Sequence, residues 1–409
     1  MGEKLFRGQI LDFLEDPGVT ETTLEALRYL EDGALVTGAD GCVLEVGPYA
    51  LFRAKYPGAA VHDYTGRLIM PGFIDTHIHF PQMQIIASYG RQLLDWLTRY
   101  TFPAEAQLQN AALAKTLARD FVRELLANGT TTCLAFAAES AVSAEALFEA
   151  AIEWNMRMIS GKVLMNRNAP AVIKDSAAEA YTESEALIRK WHKRERCLYA
   201  ITPRFAISCD MEELKMAGRL HAEYPETYIQ THLSENRDEV ATTLGLFPGC
   251  RDYLEIYEQA GIVKDRSVFA HGIFLSDSEL DRLASTGASI AHCPTSNLFL
   301  GSGLYDLRRA KTHGVVTSIA TDVGAGTSFS LLQTLNEAYK VQQLQGCTLD
   351  PLTAFYMITL GAARTLKLED KIGSLAVGSE ADFVVIDYQA QHLQALRMQY
   401  LQRTGHWNL

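Results

Sequence analysis

Short runs of apolar and β-branched residues alternate with longer amphipathic stretches through the middle of the chain. The short runs are typical of buried parallel strands, and the apolar spacing between them is typical of helices. Eight such strands separated by helices predict an α/β fold of the (β/α)8 TIM-like barrel type. The eight predicted strands are Leu68–His77, Thr130–Phe136, Met156–Leu164, Leu198–Phe205, Thr227–Thr231, Ser267–His271, Ala288–Cys293 and Val315–Asp322.

Three of the segments between these strands carry clear helix signals. Gln107–Asn128 has apolar residues at helical spacing and is followed by Gly129, a residue type that suits the position after a helix. Glu183–His192 and Ser276–Ala284 have acidic residues early, where they favour a helix N-terminus, and Ser276 is a predicted N-cap.

The two ends of the chain have a different pattern. Short alternating strands and one helix are predicted before the barrel, and a glycine-containing turn region and one strand after it. We therefore expect a small β-sandwich domain built from residues 1–66 and 366–409, with the barrel, residues 67–365, inserted between them. The predicted terminal elements are the strands Leu5–Ile10, Ala34–Thr37, Val43–Val46 and Phe383–Asp387, the helix Leu51–Tyr56 and a glutamine-rich helical tail, Gln389–Leu409.

Composition and charge exclude several classes of function. The 409 residues are 48% apolar, enough for a large core, and carry a formal net charge of −12 with no dense block of lysine and arginine. A nucleic-acid partner is therefore not expected. No apolar run has the length of a membrane span and the N-terminus lacks a signal-peptide core, which predicts a cytoplasmic protein. Seven scattered cysteines without CxxC spacing predict free thiols and no thiolate metal site.

The strongest chemical signal is the run Pro71–His79, which contains His77 and His79. Side chains two positions apart leave a strand from the same face, so both imidazoles are predicted to point into the barrel. A histidine pair on a solvent-facing strand is the alternative. The apolar residues around the pair make this strand a buried one, which disfavours that alternative.

Further polar residues follow other predicted strands. His232 and Glu235 end the fifth strand, His271 ends the sixth and Asp322 ends the eighth. Taken singly, each is more often an ordinary loop residue than a ligand. The carboxyl ends of barrel strands all meet at one rim, where barrel enzymes place their catalytic groups, so together they predict one site.

Three imidazoles and one carboxylate suit a single catalytic Zn²⁺ ion, with one coordination position left to water. Such an ion lowers the pKa of its water to about 7 and supplies hydroxide as the nucleophile at neutral pH. Glu235 is the predicted proton shuttle, acting as general base and then acid. Asp322 is predicted to accept a hydrogen bond from the water, and His271 to orient or polarise the same centre.

These residues resemble the metal-dependent amidohydrolase superfamily over almost the whole chain. Four further stretches are similar to the family within it that hydrolyses guanine to xanthine and ammonia; the first two are specific to that family, and the last two are shared more widely with related deaminases and chlorohydrolases. The resemblance implies zinc held by His77, His79, His232 and Asp322, a pocket for guanine, and a homodimer. The four stretches are Leu94–Glu105, Ile201–Ala206, His292–Asn297 and Thr321–Gly326.

The pocket that the resemblance implies is formed by Gln82, Arg204 and Phe205, with Trp96 nearby. A planar purine needs a flat apolar wall, which Phe205 and Trp96 provide. The fixed donors of Arg204 suit the acceptor edge of the base, and Gln82 offers both a donor and an acceptor to a ring nitrogen. Two alternatives stay open: Arg204 pairs with a nearby carboxylate, or Trp96 is an ordinary core aromatic.

Two other functions compete with deamination of guanine. The first is another amidohydrolase reaction, on a different aminopurine, a pterin or a triazine, which would use the same ligands and Glu235. The second is a barrel scaffold without a metal, which predicts a missing ligand or shuttle, and none is missing. The cytidine-deaminase type of zinc site is excluded because its HxE and PCxxC pattern is absent.

Overall fold

The computed structural model describes residues 2–18, 23–90 and 92–404. This part of the chain forms two compact units, one of residues 73–368 and one of the two flanks, 2–17, 23–72 and 369–404. Residues 405–409 of the predicted tail lie outside the described residues. The strands are β1 (Lys4–Phe13), β2 (Leu27–Thr37), β3 (Val43–Pro48), β4 (Ala60–Pro71), β5 (Phe73–His79), β6 (Thr130–Phe136), β7 (Arg157–Gly161), β8 (Val163–Leu164), β9 (Cys197–Pro203), β10 (Tyr228–Leu233), β11 (Ser267–His271), β12 (Ser289–His292), β13 (Val316–Ile319) and β14 (Phe383–Ile386).

Helices alternate with the strands of the larger unit and also occur in the flanks. Short 3₁₀ turns lie at Leu24–Ala26, Phe80–Ile85, Gln107–Gln109 and Ala171–Ile173, and a π-helical turn at Leu97–Thr101 joins two α-helices. The α-helices are α1 (Tyr49–Lys55), α2 (Leu93–Trp96), α3 (Phe102–Ala106), α4 (Ala111–Ala127), α5 (Ala141–Glu153), α6 (Ala177–Trp191), α7 (Met211–Glu223), α8 (Arg237–Leu246), α9 (Tyr253–Ala260), α10 (Asp277–Thr286), α11 (Pro294–Phe299), α12 (Leu307–Thr312), α13 (Leu331–Leu344), α14 (Pro351–Met357), α15 (Leu360–Thr365) and α16 (His392–Thr404).

The larger unit is the predicted (β/α)8 barrel. Eight of its strands pair in parallel in the order β13-β12-β11-β10-β9-β7-β6-β5, and β8 adds a short pairing to β9. Two backbone hydrogen bonds bring the ends of this ring together. Asp322 N donates to His77 O at 2.9 Å, and His79 N donates to Val323 O at 2.8 Å. The carboxyl ends of β5 and of the segment after β13 are therefore neighbours.

One predicted strand divides in two. Leu68–His77 reads as a single apolar run, but Leu68–Pro71 belongs to β4 and pairs with β14 in the sheet of the flanks. From Phe73 onward the chain is β5 and pairs with β6 in the barrel. The apolar pattern does not reveal this boundary, because both halves are buried. Only the pairing partners distinguish them.

Local capping explains where the predicted helices begin and end. The Asn110 side chain accepts from the N–H groups of Ala112 and Leu113 at the start of α4, and Gly129 follows that helix with φ +82°. Ser276 caps α10 in a capping box with Glu279, as its position predicted. Within the described residues, every helix is too short or too polar to cross a bilayer.

The flanks form one mixed sheet in the order β14-β4-β1-β2-β3. A sandwich of two sheets was expected here. The 12-residue strand β4 pairs with β1 along most of its length and also with β14 at its C-terminal end, so the C-terminal strand joins the existing sheet instead of starting a second one. Alternate residues of β2 pack on opposite faces, with Phe52 of α1 covering one face and Leu375 the other.

Glu213 on α7 makes the stability of the barrel sensitive to pH. Its side chain is fully buried, and burial raises its pKa from the ordinary 4.5 to about 8, with Asp175 adding to the effect. Between these two values the folded state binds more protons than the unfolded chain, so the free energy of unfolding falls as pH rises. We expect Glu213→Gln to gain more than about 1 kcal/mol relative to the wild type between pH 5 and pH 8.

Urea unfolding of both proteins at the two pH values measures this effect. Glu212→Gln is the matched control, because Glu212 lies next along α7 with an exposed side chain. It should leave the pH dependence unchanged. Parallel pH profiles for Glu213→Gln and the wild type would show that Glu213 ionises normally in the folded protein.

Candidate metal centre and substrate pocket

Four predicted ligands converge at the carboxyl ends of the barrel strands. His77 and His79 lie on β5, His232 lies on β10, and Asp322 follows β13. The Nε2 atom of His79 is 3.2 Å from Nε2 of His77 and 3.2 Å from Nε2 of His232. Asp322 Oδ1 lies 3.3 Å from Nε2 of both His77 and His79. The side chains of His77, His79 and Asp322 are buried, and that of His232 is half-buried.

This donor set fits a divalent metal ion. Ligand atoms about 2.0–2.1 Å from a tetrahedral Zn²⁺ are about 3.3 Å from one another, which is the spacing seen here. His232 Nδ1 lies 2.6 Å from the carbonyl oxygen of Arg204, so Nδ1 carries the proton and donates it there, leaving the lone pair of Nε2 free. This lone pair faces Nε2 of His79, as expected for two imidazoles that share one ion.

The electrostatics of the cluster favour the ligand form of His79, His232 and Asp322 at neutral pH. Burial lowers the pKa of His79 to about 4 and that of His232 well below its ordinary value, so both imidazoles are neutral. Burial opposes ionisation of Asp322, but the surrounding imidazoles of His77, His79 and His271 together outweigh burial and hold the pKa of this carboxyl well below its usual range. Cys293 also lies near His77, but burial raises the pKa of its thiol and keeps it protonated.

Glu235 and His271 lie beside the four ligands. Glu235 Oε2 is 3.5 Å from His271 Nε2, and Ser302 Oγ donates a hydrogen bond of 2.9 Å to Glu235 Oε1. Burial, with Asp322 and Glu239 nearby, raises the pKa of Glu235 well above its ordinary value. A raised pKa makes this carboxyl group a better proton acceptor than an ordinary glutamate, which suits a shuttle.

His271 is oriented from its far side. The Asn297 side-chain nitrogen lies 2.9 Å from His271 Nδ1, so that ring nitrogen accepts and the proton is on Nε2, facing the cluster. Among the described atoms, His271 Nε2 has no hydrogen-bond partner. Its N–H is therefore available to a group bound between Glu235 and Asp322.

The backbone is strained where it carries these groups. Ser234, His271 and Asp322 have φ values of +49°, +73° and +50°, a left-handed conformation that non-glycine residues seldom adopt. Ser234 directly follows β10, His271 is the last residue of β11, and Asp322 lies shortly after the end of β13. Strain of this kind persists where the surrounding structure holds it, most often at functional sites.

Asp75 lies behind the ligands and fixes two of them. Its buried carboxylate accepts hydrogen bonds from the backbone N–H of Thr321 at 3.1 Å and of His77 at 3.3 Å, and also from the Thr321 hydroxyl. It therefore ties β5 to the segment that carries Asp322. Burial raises the pKa of Asp75 to about 6 despite these bonds.

The four predicted substrate residues line one pocket together with the cluster. Gln82, Trp96, Arg204 and Phe205 line a pocket that also borders His79, His232, Glu235, His271 and Asp322. Apolar side chains of Leu93, Leu97 and Leu300 complete the wall. Trp96 also donates from Nε1 to the carbonyl of Ser88 at 2.9 Å, so it is both a pocket residue and a packed core aromatic.

Arg204 pairs with a carboxylate, which is one of the two alternatives that stayed open in the sequence analysis. Its Nη1 donates to Glu105 Oε2 at 2.7 Å, and both side chains are buried. Glu105 was not singled out from the sequence, and neither were Asn297 and Ser302. Glu105 and Asn297 end stretches that resemble the superfamily, but no spacing rule indicates which side chain each contacts. Asp75 had a usable signal, because it shares the strand face of His77 and His79.

A barrel that gathers three imidazoles and a carboxylate at its catalytic rim defines a metal-dependent hydrolase. The model of the Amidohydrolase family matches residues 68–405, and the chain belongs to this family. It is 48% identical over 395 residues to a guanine deaminase of Escherichia coli K12, covering 96% of this chain and 90% of the relative.

Solved structures give the same relationship. A guanine deaminase from Bradyrhizobium japonicum superposes with a TM-score of 0.95 at 38% identity, covering 98% of this chain and 92% of that one. A guanine deaminase from C. acetobutylicum with guanine bound in its active site superposes with a TM-score of 0.86 at 30% identity, covering 94% and 91%.

Proposed function

We propose that this protein hydrolyses guanine to xanthine and ammonia. The observation that carries the proposal is that one buried pocket joins the histidine and aspartate cluster to Gln82, Arg204 and Phe205. The cluster supplies hydrolytic chemistry, and the other three side chains supply a surface for a flat, polar-edged base. Similarity to guanine deaminases over almost the whole chain supports the same substrate.

The pocket residues orient the base by shape and hydrogen bonding. The buried ring of Phe205 offers a flat wall to the purine. Arg204 has donors left over after its bond to Glu105, and these match the O6 and N7 acceptors of guanine. Gln82 lines the same pocket as Asp322 and hydrogen-bonds a ring nitrogen near the amino group that leaves.

One zinc ion per chain is proposed to be held by His77, His79, His232 and Asp322. When bound, such an ion supplies an activated water at neutral pH. Glu235 accepts a proton from the attacking water and delivers protons to the ring nitrogen beside C2 and to the departing amine. His271 Nε2 donates a hydrogen bond to oxygen as it adds to C2. The amino group leaves as ammonia and the ring keeps the new oxygen.

Ammonia release from guanine, adenine, cytosine and adenosine, assayed side by side, tests the proposal. We expect guanine to be used at least about 100-fold better than the others, because a site built to hydrogen-bond one polar edge rejects analogues that leave its buried groups unpaired. Turnover of adenosine without turnover of guanine would overturn it. The homodimer and the cytoplasmic location stay predictions.

A further inference from the structure

Glu105 contacts Gln82 and Arg204, the two polar side chains among the four predicted substrate residues. It lies on the short helix α3 and is fully buried. Its Oε1 accepts a hydrogen bond of 3.1 Å from Gln82 Nε2, and its Oε2 accepts the 2.7 Å bond from Arg204 Nη1. A single carboxylate therefore links two residues that come from distant strands of the barrel.

These contacts fix the orientation of the Gln82 and Arg204 side chains. An ionised carboxylate only accepts hydrogen bonds, so the nitrogen of the Gln82 amide must face it. The Gln82 oxygen points the other way and lies 3.4 Å from the N–H of Gly324. The ring of Phe102, also on α3, lies 5.4 Å from the guanidinium carbon of Arg204. Helix α3 therefore contacts the Arg204 guanidinium twice, through the Glu105 carboxylate at one edge and through the Phe102 ring on one face.

The pairing also determines the charge that the pocket offers. A buried guanidinium without a partner would bind an anion in preference to a neutral base, because little solvent is present to screen it. Glu105 cancels that charge while leaving the other donors of Arg204 free. At this end of the pocket, the Arg204–Glu105 pair then offers directed hydrogen bonds without a net positive charge, which suits neutral guanine.

We propose that Glu105 is a positioning residue that selects for a neutral purine base, by orienting Gln82 and Arg204 and by neutralising Arg204. This inference rests on the proposed function, since guanine is the neutral base in question. It predicts that loss of the carboxylate charge weakens use of neutral guanine and strengthens binding of an anionic purine of the same shape.

Glu105→Gln tests both parts. Gln82 and Arg204 donate to different oxygens of Glu105, and glutamine replaces one of these oxygens by a donor, so one of the two contacts is lost in its present geometry. We expect kcat/KM for guanine to fall about 10- to 100-fold. Xanthine is largely a monoanion at mildly alkaline pH. In the variant, the ratio of the xanthine inhibition constant to the KM for guanine should therefore be at least about 10-fold lower than in the wild type.

Two further variants separate the effect of the Glu105 charge from the effect of changed packing. Glu105→Asp keeps the charge and shortens the side chain, so kcat/KM should fall while the ratio stays near that of the wild type. Glu139→Gln is the matched control, because Glu139 is also buried but bonds to Gln109 instead of the pocket residues. It should change neither quantity.

The outcomes are distinct. A parallel rise of the xanthine inhibition constant and the guanine KM in Glu105→Gln would indicate a structural role only and overturn the proposal, as would unchanged kcat/KM. If Glu105→Gln does not fold, full activity in Glu105→Asp would overturn it instead. Absence of guanine turnover in the wild type would refute the proposed function, whereas normal wild-type turnover with an unaffected Glu105→Gln refutes this inference alone.

Discussion

Glu235→Gln is expected to lower turnover of guanine by about 10²- to 10⁴-fold while leaving the zinc content unchanged. The amide keeps the size of the side chain and its acceptor oxygen for the Ser302 hydroxyl. It cannot take a proton from water at neutral pH. Because Glu235 is 3.5 Å from His271 and is not one of the four converging ligands, the metal site should survive the change.

Steady-state kinetics and metal analysis on the same preparation measure this result. Asp238→Asn is the matched control, because Asp238 lies three residues further along with an exposed side chain. It should retain wild-type turnover. Near-normal turnover in Glu235→Gln would remove Glu235 from the proton-transfer scheme.

Asp322→Asn is expected to lower zinc content well below one ion per chain and activity by more than about 100-fold. The Asp322 carboxylate faces two imidazoles at 3.3 Å, and the asparagine amide removes its negative charge without changing its size. Loss of a residue that only supports a ligand costs about 10- to 100-fold in metal affinity or activity, so loss of a ligand should cost more.

Removal of the metal from the wild type with a chelator provides a comparison for Asp322→Asn. Wild-type protein stripped of metal should lose activity and regain it when zinc is added, whereas Asp322→Asn should recover little under the same conditions. Asp281→Asn, on the exposed face of α10, should behave as the wild type does. A full complement of tightly held zinc in Asp322→Asn would mean that this carboxylate is not a ligand.

Much of the barrel could be predicted because each element carries its own signal. Thr130–Phe136 and Ser267–His271 are strands over the predicted residues, and Ser276 and Gly129 mark helix ends through side-chain and backbone properties of single residues. The eight-strand count then predicts the architecture, because parallel strands joined by helices have few ways to close.

The expectations that needed revision concern pairing between distant segments. The end of β4 and the start of β5 form one apolar run in the sequence. In the structure β4 belongs to the sheet of the flanks and β5 to the barrel sheet, with Gly72 between them. The single sheet of the flanks depends likewise on β4 reaching both β1 and β14. Pairing partners are not encoded in the apolar pattern of one strand, since that pattern records burial and not the neighbour that provides it.

For the site, the sequence by itself determined which residue types stand at the strand ends, and alternation along β5 determined that His77 and His79 share a face. Only the tertiary structure decided the 3.2–3.3 Å convergence of four side chains, the role of Asp75 behind them, and the Glu105 bridge between Gln82 and Arg204. The reason is physical. A local pattern fixes the direction of a side chain relative to its own strand, whereas a distance between strands depends on barrel closure and on the packing of every element around it.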